Sequence, residues 1–564
     1  MASQRKNDNA ANRKSYIGDI FNEGEKIIKK NVLDNFNPIY SNLHKNAYIH
    51  IHDLDAFDLT YNCLTFDLTK SFPFKKFQYL NPIDKIISFF NHLIEMLEKM
   101  GNEQSGGMSI PNFDCDLDYI FSKMKVNIVD YKDVFSSCIK NFIIWNNNNH
   151  TRMGQTSYYV TLNIGLSTTI IGRFISMTLL NEFMNSSSLI YKPNIVFKVK
   201  KGINFFESDP NYDILIQSLK CTAIKMIPTY VLCDSESNKN NDPYQMAIVG
   251  CRTRVWKNIH GKNTSIGRGN IANISINLPR LALEVNDENP NKCFCEKINI
   301  LYDKWEEIAD NCKDILIEKI IRLSKVEKSN FPSNLEYEMW LVNFENNTLF
   351  DIFKQSTLSI GFIGLSEAIE IISGTKYWKN KVVYNHSLNF IKRMREFTDT
   401  VTDKTNFNFS LLATSGELIS GRFLEEDRKK FASNVFEKGY YTNSFHIDVD
   451  SNLPAYKKII LESKFHNYCN GGCITYVELR EAPIGNYLGL LDLLKVGIES
   501  GTHYLGFNFP KDICSLCSTS GVFDVCPVCD SKNIIRIRRV SGYLEIENFF
   551  TNGKKNETLN RKVN

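Results

Sequence analysis

Long apolar runs are missing from this 564-residue chain. No stretch reaches the ~18 uncharged apolar residues that a membrane helix needs, and the best candidate, 168–180, is interrupted by Arg173. A helical membrane span is excluded. A strong charge of either sign is missing too: 67 Lys+Arg against 63 Asp+Glu leave +4, too little for a nucleic-acid coat or a membrane-surface protein. The opening residues 1–15 are polar, Asn/Lys-rich and without the apolar region of a secretory signal, so a cytoplasmic chain is expected. There the 15 cysteines are expected as reduced thiols or metal ligands, not as a disulfide framework. No Cys-Cys pair occurs, and no internal repeat is visible.

With 43% hydrophobic and 23% charged residues, the composition is that of a globular protein able to bury a large core. Apolar residues recur at helical spacing over 16–35, 80–100, 131–145, 171–184, 212–226, 298–323 and 384–394. Between them lie β-like runs at 195–199, 274–278, 358–363 and 474–478. This alternation predicts an α/β fold. The Asn/Lys-rich stretches 146–149 and 235–241 read as surface loops. Composition changes near Lys511, where a Cys-rich segment begins and runs into a basic strand, 534–540.

That segment carries Cys514-Ser-Leu-Cys517 and, eight residues later, Cys526-Pro-Val-Cys529. Two such pairs let four thiolates converge on one Zn²⁺, and a closed four-thiolate site stabilises structure without doing chemistry. Beyond it lies Arg538-Arg-Val-Ser-Gly542-Tyr. A glycine in such a sequence is ordinarily an exposed turn. Its α-carbon can also lose a hydrogen and become a planar, delocalised radical, which a Cβ would obstruct. Such a radical needs a cysteine relay. Cys251, in Gly250-Cys-Arg-Thr-Arg-Val255, suits the tip of a turn, and Cys63 follows Tyr48-Ile-His-Ile-His-Asp53 by ten residues. Either could instead be a buried apolar filler.

Together these segments resemble the catalytic subunit of anaerobic, class III ribonucleoside-triphosphate reductases, a glycyl radical enzyme family. The resemblance spans about 9–553 and is also carried by Gly106-Gly-Met-Ser-Ile-Pro-Asn-Phe-Asp114, Asp209-Pro-Asn-Tyr-Asp213, Gly267-Arg-Gly-Asn270, Asn277-Leu-Pro-Arg280, the segment from Thr357 to Leu365, Asn408-Phe-Ser-Leu-Leu-Ala-Thr414 and Tyr440-Tyr-Thr-Asn-Ser-Phe-His446. It implies a ten-stranded α/β barrel of two parallel five-stranded halves, with Cys251 on a finger loop and Gly542 on a second loop anchored by a zinc ribbon. The implied organisation is an arm (1–15), a barrel with a helical N-terminal part (16–510), a ribbon (511–533) and a radical loop with tail (534–564). Because the similarity starts almost at the N-terminus, no ATP-cone is expected.

The implied chemistry is reduction of ribonucleoside triphosphates to deoxyribonucleotides. The Gly542 radical takes the hydrogen of Cys251, the Cys251 thiyl takes the ribose 3′-hydrogen, and Cys63 donates a hydrogen. Asn270 is the candidate contact near the ribose, with Asn273 and Asn277 as alternatives. Thr357, Leu358, Ser359, Ile360 and Gly361 are the candidate triphosphate cradle, as small residues entering an apolar helix; a tightly packed turn is the other reading. Asn443, Ser444 and Glu417 are further candidates for substrate contact. His50, His52 and Asp53 read as a structural group, not a second metal site. The resemblance also implies formate or a dithiol protein as reductant, dNTP or ATP effectors at a specificity site, a radical-SAM activase and a homodimer. The chain departs from the family at Cys473 and Ser541, and Ser541 makes the loop similar to that of pyruvate formate-lyase. A formate-lyase-type acyltransferase and a zinc-ribbon nucleic-acid-binding protein are therefore the alternatives. The first uses adjacent cysteines, which this chain lacks, and the second leaves some 500 residues before the ribbon without a role.

Overall fold

The computed structural model describes residues 16–149 and 159–564. The arm expected over 1–15 lies outside the described residues.

Ten strands form the frame: β1 (Cys63–Thr65), β2 (Met108–Ile110), β3 (Val160–Ile164), β4 (Asn194–Val199), β5 (Thr229–Leu232), β6 (Arg268–Asn277), β7 (Thr357–Ile363), β8 (Asn408–Ala413), β9 (Thr475–Glu478) and β10 (Tyr504–Asn508). They pair in the order β8, β7, β6, β1, β2, β3, β4, β5, β10, β9. Within β1 to β5 every pairing is parallel, as it is within β6, β7 and β8 and between β9 and β10. The halves join antiparallel at two seams, with Cys63 opposite Asn270 and Tyr504 opposite Val231. A parallel bridge between Leu412 and Gly472 brings the last two edges together and closes a barrel of two five-stranded halves. A further strand, Ile49–Ile51, adds antiparallel to β6.

Parallel neighbours need long crossovers, and helices supply them. The helix Pro82–Gly101 starts at Asn81, whose side chain accepts from Asp84 N at 2.9 Å, with Pro82 in the first turn. Its buried stripe of Ile86, Phe89, Phe90, Leu93, Met96, Leu97 and Met100 follows helical periodicity. Each such large side chain contributes about 1.5–3 kcal/mol on burial.

The strands explain one expectation that fails. On β7 the residues alternate: Leu358, Ile360 and Phe362 enter the main apolar core, while Thr357, Ser359 and Gly361 lie on the opposite, small-residue face. All of 357–361 are buried and laddered on both sides, to β6 and to β8. The small residues therefore mark the interior of a barrel strand. They do not form a turn into a helix. The helix Leu365–Ser373 begins later, after Gly364 at φ 79°.

Two loop readings also change. The helix Lys132–Asn148 runs through most of 146–149, and its Asn146 is buried. The segment 235–241 is irregular, but Ser235 and Asn238 are buried.

After β10 the chain builds a second, antiparallel sheet in the order Ser520–Gly521, Lys511–Cys514, Ile534–Arg539, Leu544–Ile546. The segments 511–533 and 534–564 thus share one sheet. Among the described residues no helix is long and apolar enough to cross a membrane.

Candidate active site

Between β5 and β6 the chain makes a short hairpin, with Ile248 opposite Arg254 and Val249 opposite Thr253. Three residues cap it: Gly250 at φ 64°, Cys251 and Arg252. Close backbone contacts hold it inside the barrel. A Cβ on Gly107, at the start of β2, would lie 3.0 Å from Gly250 Cα, and one on Gly472, beside β9, would lie 2.1 Å from Arg252 O. The Arg254 N–H donates to Gly471 O at 2.9 Å, and Ser109 Oγ donates to Ile248 O at 2.7 Å.

A second hairpin meets the first. Val540 N donates to Tyr543 O at 3.0 Å, closing a tight turn around Ser541 and Gly542. The turn is buried rather than exposed, with Val540 at 0% and Ser541 at 2% exposure. Glycine is required at 542 by space: a Cβ there would fall 2.1 Å from both Cys251 Cα and Cys251 Cβ. Glu417 anchors the turn on each side of Gly542, accepting from Ser541 Oγ at 2.5 Å and from Tyr543 Oη at 2.5 Å. Burial raises the Glu417 carboxyl above its usual range, against the lowering effect of those two donors.

Cys251 is half-buried, with Sγ 3.2 Å from Ser415 Oγ. Cys63 is buried at the start of β1, its Sγ accepting from Gly107 N at 3.2 Å. Burial pushes both thiols up. Each therefore stays protonated near neutral pH, as a hydrogen-atom donor must. One cavity is lined by Cys63, Cys251, Glu417, Ser415, Tyr159 and Tyr543. The ring of Tyr159 meets that of Tyr543 edge-on at 4.8 Å.

The structure separates other expected site residues from this cavity. Asn270 is fully buried and donates to Ser359 Oγ at 2.8 Å and Thr357 Oγ1 at 3.1 Å. It is not among the residues lining the cavity, whereas Asn273, three positions on along β6, is. The ribose-contact expectation therefore moves from Asn270 to Asn273; the third candidate, Asn277, is spent on Ala47 O and Asp427. The cradle expected at Thr357, Leu358, Ser359, Ile360 and Gly361 fails because its N–H groups are committed to the barrel ladders. Asn443 lines a smaller cavity behind the Gly542 turn and accepts from Gly416 N at 2.8 Å. Ser444, at φ 41°, is buried beside the Leu365 helix, whose first N–H donates to its carbonyl at 3.1 Å. His50 Nδ1 meets Arg422 Nη1 at 2.9 Å and His52 Nε2 meets Ser275 Oγ at 2.8 Å, while His52 and Asp53 also line the larger cavity. Asn62, Ser415 and Tyr159 were not expected there. Ser415 directly follows the Asn408 to Thr414 motif, which is the one signal that could have found it.

At the far end of the second sheet, Cys514, Cys517, Cys526 and Cys529 form the one His/Cys/Asp/Glu group among the described residues arranged to hold a metal ion. The Cys514–Cys529 and Cys517–Cys526 sulfurs lie 3.5 and 3.4 Å apart. That is close to the edge of a tetrahedron with Zn–S bonds of about 2.3 Å and far beyond a disulfide of about 2.05 Å. The group fits zinc.

A family model described as anaerobic ribonucleoside-triphosphate reductase matches residues 8–563. The chain is 28% identical over 587 residues to the anaerobic ribonucleoside-triphosphate reductase of Enterobacteria phage T4, covering 95% of this chain and 93% of that one. It is 28% identical over 565 residues to the enzyme of the same name from Escherichia coli strain K12, covering 92% and 77%. Among solved structures, an anaerobic ribonucleotide reductase from Thermotoga maritima in complex with dATP and CTP superposes with a TM-score of 0.71 at 16% identity, over 96% of this chain and 92% of that one. A glycyl radical enzyme from Archaeoglobus fulgidus superposes with a TM-score of 0.57 at 10% identity, over 96% and 85%.

Proposed function

The chain belongs to the anaerobic ribonucleoside-triphosphate reductase family, and from that membership we propose how its own residues carry the reaction. The chain is an oxidoreductase that reduces ribonucleoside triphosphates to 2′-deoxyribonucleotides by a glycyl radical mechanism. The radical resides on Gly542. The observation that carries this reading is the contact of Gly542 with Cys251, so close that no side chain fits between them.

The Gly542 radical takes the hydrogen atom of the Cys251 S–H, restoring a Cα–H bond and leaving a thiyl. The thiyl takes the ribose 3′-hydrogen, and the 2′-hydroxyl leaves as water. Cys63, across the same cavity, donates a hydrogen atom to C2′; one reductant electron with a proton then reduces the keto-sugar and a second restores the Cys63 thiol, after which Cys251 returns the 3′-hydrogen and the radical passes back to Gly542. Burial that keeps both thiols protonated serves this chemistry and opposes thiolate chemistry. The two electrons come from formate or from a dithiol protein. Asn273, which lines the same cavity as the two cysteines, is the ribose contact. Zinc, when bound by Cys514, Cys517, Cys526 and Cys529, supplies structure: it fixes the sheet that carries the turn.

A buried Gly542 has to be reached by an outside activating enzyme, and we assign that step to a radical-SAM activase. The Thermotoga maritima structure holds dATP and CTP, which supports nucleotide effectors and substrate here; the assembly assigned in this reading is a homodimer. The formate-lyase alternative lacks its adjacent cysteines, and the four-cysteine site stands against it.

The test is an electron-spin resonance spectrum after anaerobic treatment with activase and S-adenosylmethionine. A doublet from the Gly542 α-hydrogen that disappears in Gly542→Ala is expected. An unchanged doublet in that variant would place the radical elsewhere.

A further inference from the structure

Cys63 enters the cavity beside a polar network that the radical chemistry does not by itself require. Gly107 N–H donates to Cys63 Sγ at 3.2 Å, so one sulfur lone pair is engaged and the thiol hydrogen points elsewhere. Asn62 Oδ1 lies 2.6 Å from the same sulfur, an acceptor placed against the S–H. An amide can face either way, and here Asp53 fixes its direction. Asn62 Nδ2 donates to Asp53 Oδ2, and a carboxylate oxygen accepts only from the NH₂ side. Ser105 Oγ donates to the same Asp53 oxygen at 3.0 Å.

The surroundings hold this arrangement at some cost. Asp53 sits in the left-handed region at φ 48°, a conformation that costs of order 1 kcal/mol for a residue with a side chain. Lys319, fixed by the carbonyls of Ala56 at 2.7 Å and Thr60 at 2.6 Å, lies near Asp53, whose charge opposes the burial that pulls the lysine down to about 7. Gly106 leaves the space, since a Cβ there would lie 2.6 Å from Cys63 Sγ and 2.7 Å from Asn62 Oδ1. Asp53, Asn62, Ser105 and Gly106 all line the cavity that holds both cysteines.

We infer that Asn62, with its amide fixed by Asp53, is the positioning residue for the Cys63 thiol and sets the direction of its S–H bond. This rests on the reading of Cys63 as the hydrogen donor. In that step the S–H bond breaks homolytically as a C–H bond forms on the sugar, and the odd electron left on sulfur is refilled by the formate or dithiol reductant. A thiol free to rotate presents its hydrogen less often, so a substrate radical persists longer and decomposes, releasing its base.

The experiment measures two quantities in anaerobically activated protein: glycyl radical yield by spin resonance, and deoxynucleotide formed per free base released. Asn62→Ala and Asp53→Ala should keep the radical yield, while the product-to-base ratio falls roughly tenfold, the scale of one lost hydrogen bond. Asp53→Asn keeps an acceptor for the amide and should restore most of the ratio. A wild-type ratio in Asn62→Ala would overturn the inference. If that variant fails to fold or to activate, a wild-type ratio in folded Asp53→Ala would do so instead. Cys63→Ser, run alongside, separates the two readings: if it releases no base, the role of Cys63 falls. If it does while both alanine variants behave as wild type, only the positioning role falls.

Discussion

The two hairpins that meet at the cavity are held in opposite ways. The finger carrying Cys251 is gripped along its own backbone: Gly107 and Gly472 admit it, Arg254 N donates to Gly471 O, and the side chains of Ser109 and Asn163 bond the main chain of Ile248. The turn carrying Gly542 is fixed by side chains: Glu417 on Ser541 and Tyr543, and Arg539 on Asn508 Oδ1 at 2.6 Å. Behind it, the helix Asn552–Asn560 buries Gly553, Lys554 and Glu557, with a Lys554–Glu557 ion pair at 2.5 Å where an apolar stripe would be usual. Apolar burial and backbone ladders make a permanent element, whereas a few polar contacts make one whose withdrawal costs little. A relay cysteine has to stay in place, and a glycine that an external enzyme must reach has to leave and return.

The strongest way to break this comparison is Gly542→Ala. Its Cβ would collide with Cys251, so the turn should dock poorly, the spin-resonance doublet should vanish and turnover should be lost altogether. Thermal melting of the barrel should change little, because the turn belongs to a small apolar cluster apart from the main core. Residual nucleotide reduction by this variant would remove Gly542 from the mechanism. Wild-type protein, activated and then exposed to oxygen, should be cut at Gly542, which mass spectrometry of the C-terminal fragment reads directly.

Chelating zinc should act next most strongly, and on one hairpin only. The four thiolates close the end of the sheet that presents the turn, so their release should lower radical yield by an order of magnitude or more while the barrel melts nearly as before. Fewer than about one zinc per active chain would contradict the four-thiolate site.

The same contrast explains what could be read from the sequence. Both hairpin tips were legible, because Gly-Cys-Arg and Ser-Gly-Tyr are local patterns whose chemistry needs those atoms. The helices and the four β-like runs were legible from periodicity, since one face of each is apolar. The cradle at Thr357 to Gly361 misled for a physical reason: small residues mark a helix-entry turn, but they also mark the inner face of a narrow barrel strand, and only the pairing with β6 and β8 decides between them. An irregularity in pairing between Thr357 and Leu358 sets Asn270 and Asn273, three positions apart, against Thr357 and Ser359 on one face of the sheet, and no sequence signal tells which of the two reaches the cavity. The ties of Glu417 to Ser541 and Tyr543 join residues over 120 positions apart, beyond the reach of any local pattern.

A smaller perturbation tests how the Gly542 turn is held. Burial raises the Glu417 carboxyl, so the fold favours its protonated form, and docking should be firmest below the ordinary carboxylate range of about 4.5. It should weaken as pH rises through the elevated value, seen as growing protease cleavage at 540–543. Glu417→Gln has no proton to lose and should abolish that pH dependence, while its NH₂ group, which cannot accept, leaves one of the Ser541 and Tyr543 hydroxyls without its acceptor and weakens docking by about 1–3 kcal/mol. A wild-type pH profile in the glutamine variant would show that another group titrates.

The mildest change probes the fixed hairpin. Ser415 Oγ lies 3.2 Å from Cys251 Sγ, a side-chain hydroxyl set against the relay sulfur. Removing it in Ser415→Ala leaves the finger's backbone anchorage intact, so radical yield and melting temperature should match wild type. What changes is the orientation of one S–H bond, a net hydrogen-bond contribution of about 0.5–1.5 kcal/mol, equivalent to a fall in kcat of roughly two- to tenfold. A KM that stays constant while kcat falls is the expected pattern, because the contact is to the relay and not to substrate. A loss of radical yield in this variant would instead mean that Ser415 supports the docking of the Gly542 turn, and the division between a backbone-held finger and a side-chain-held turn would have to be redrawn.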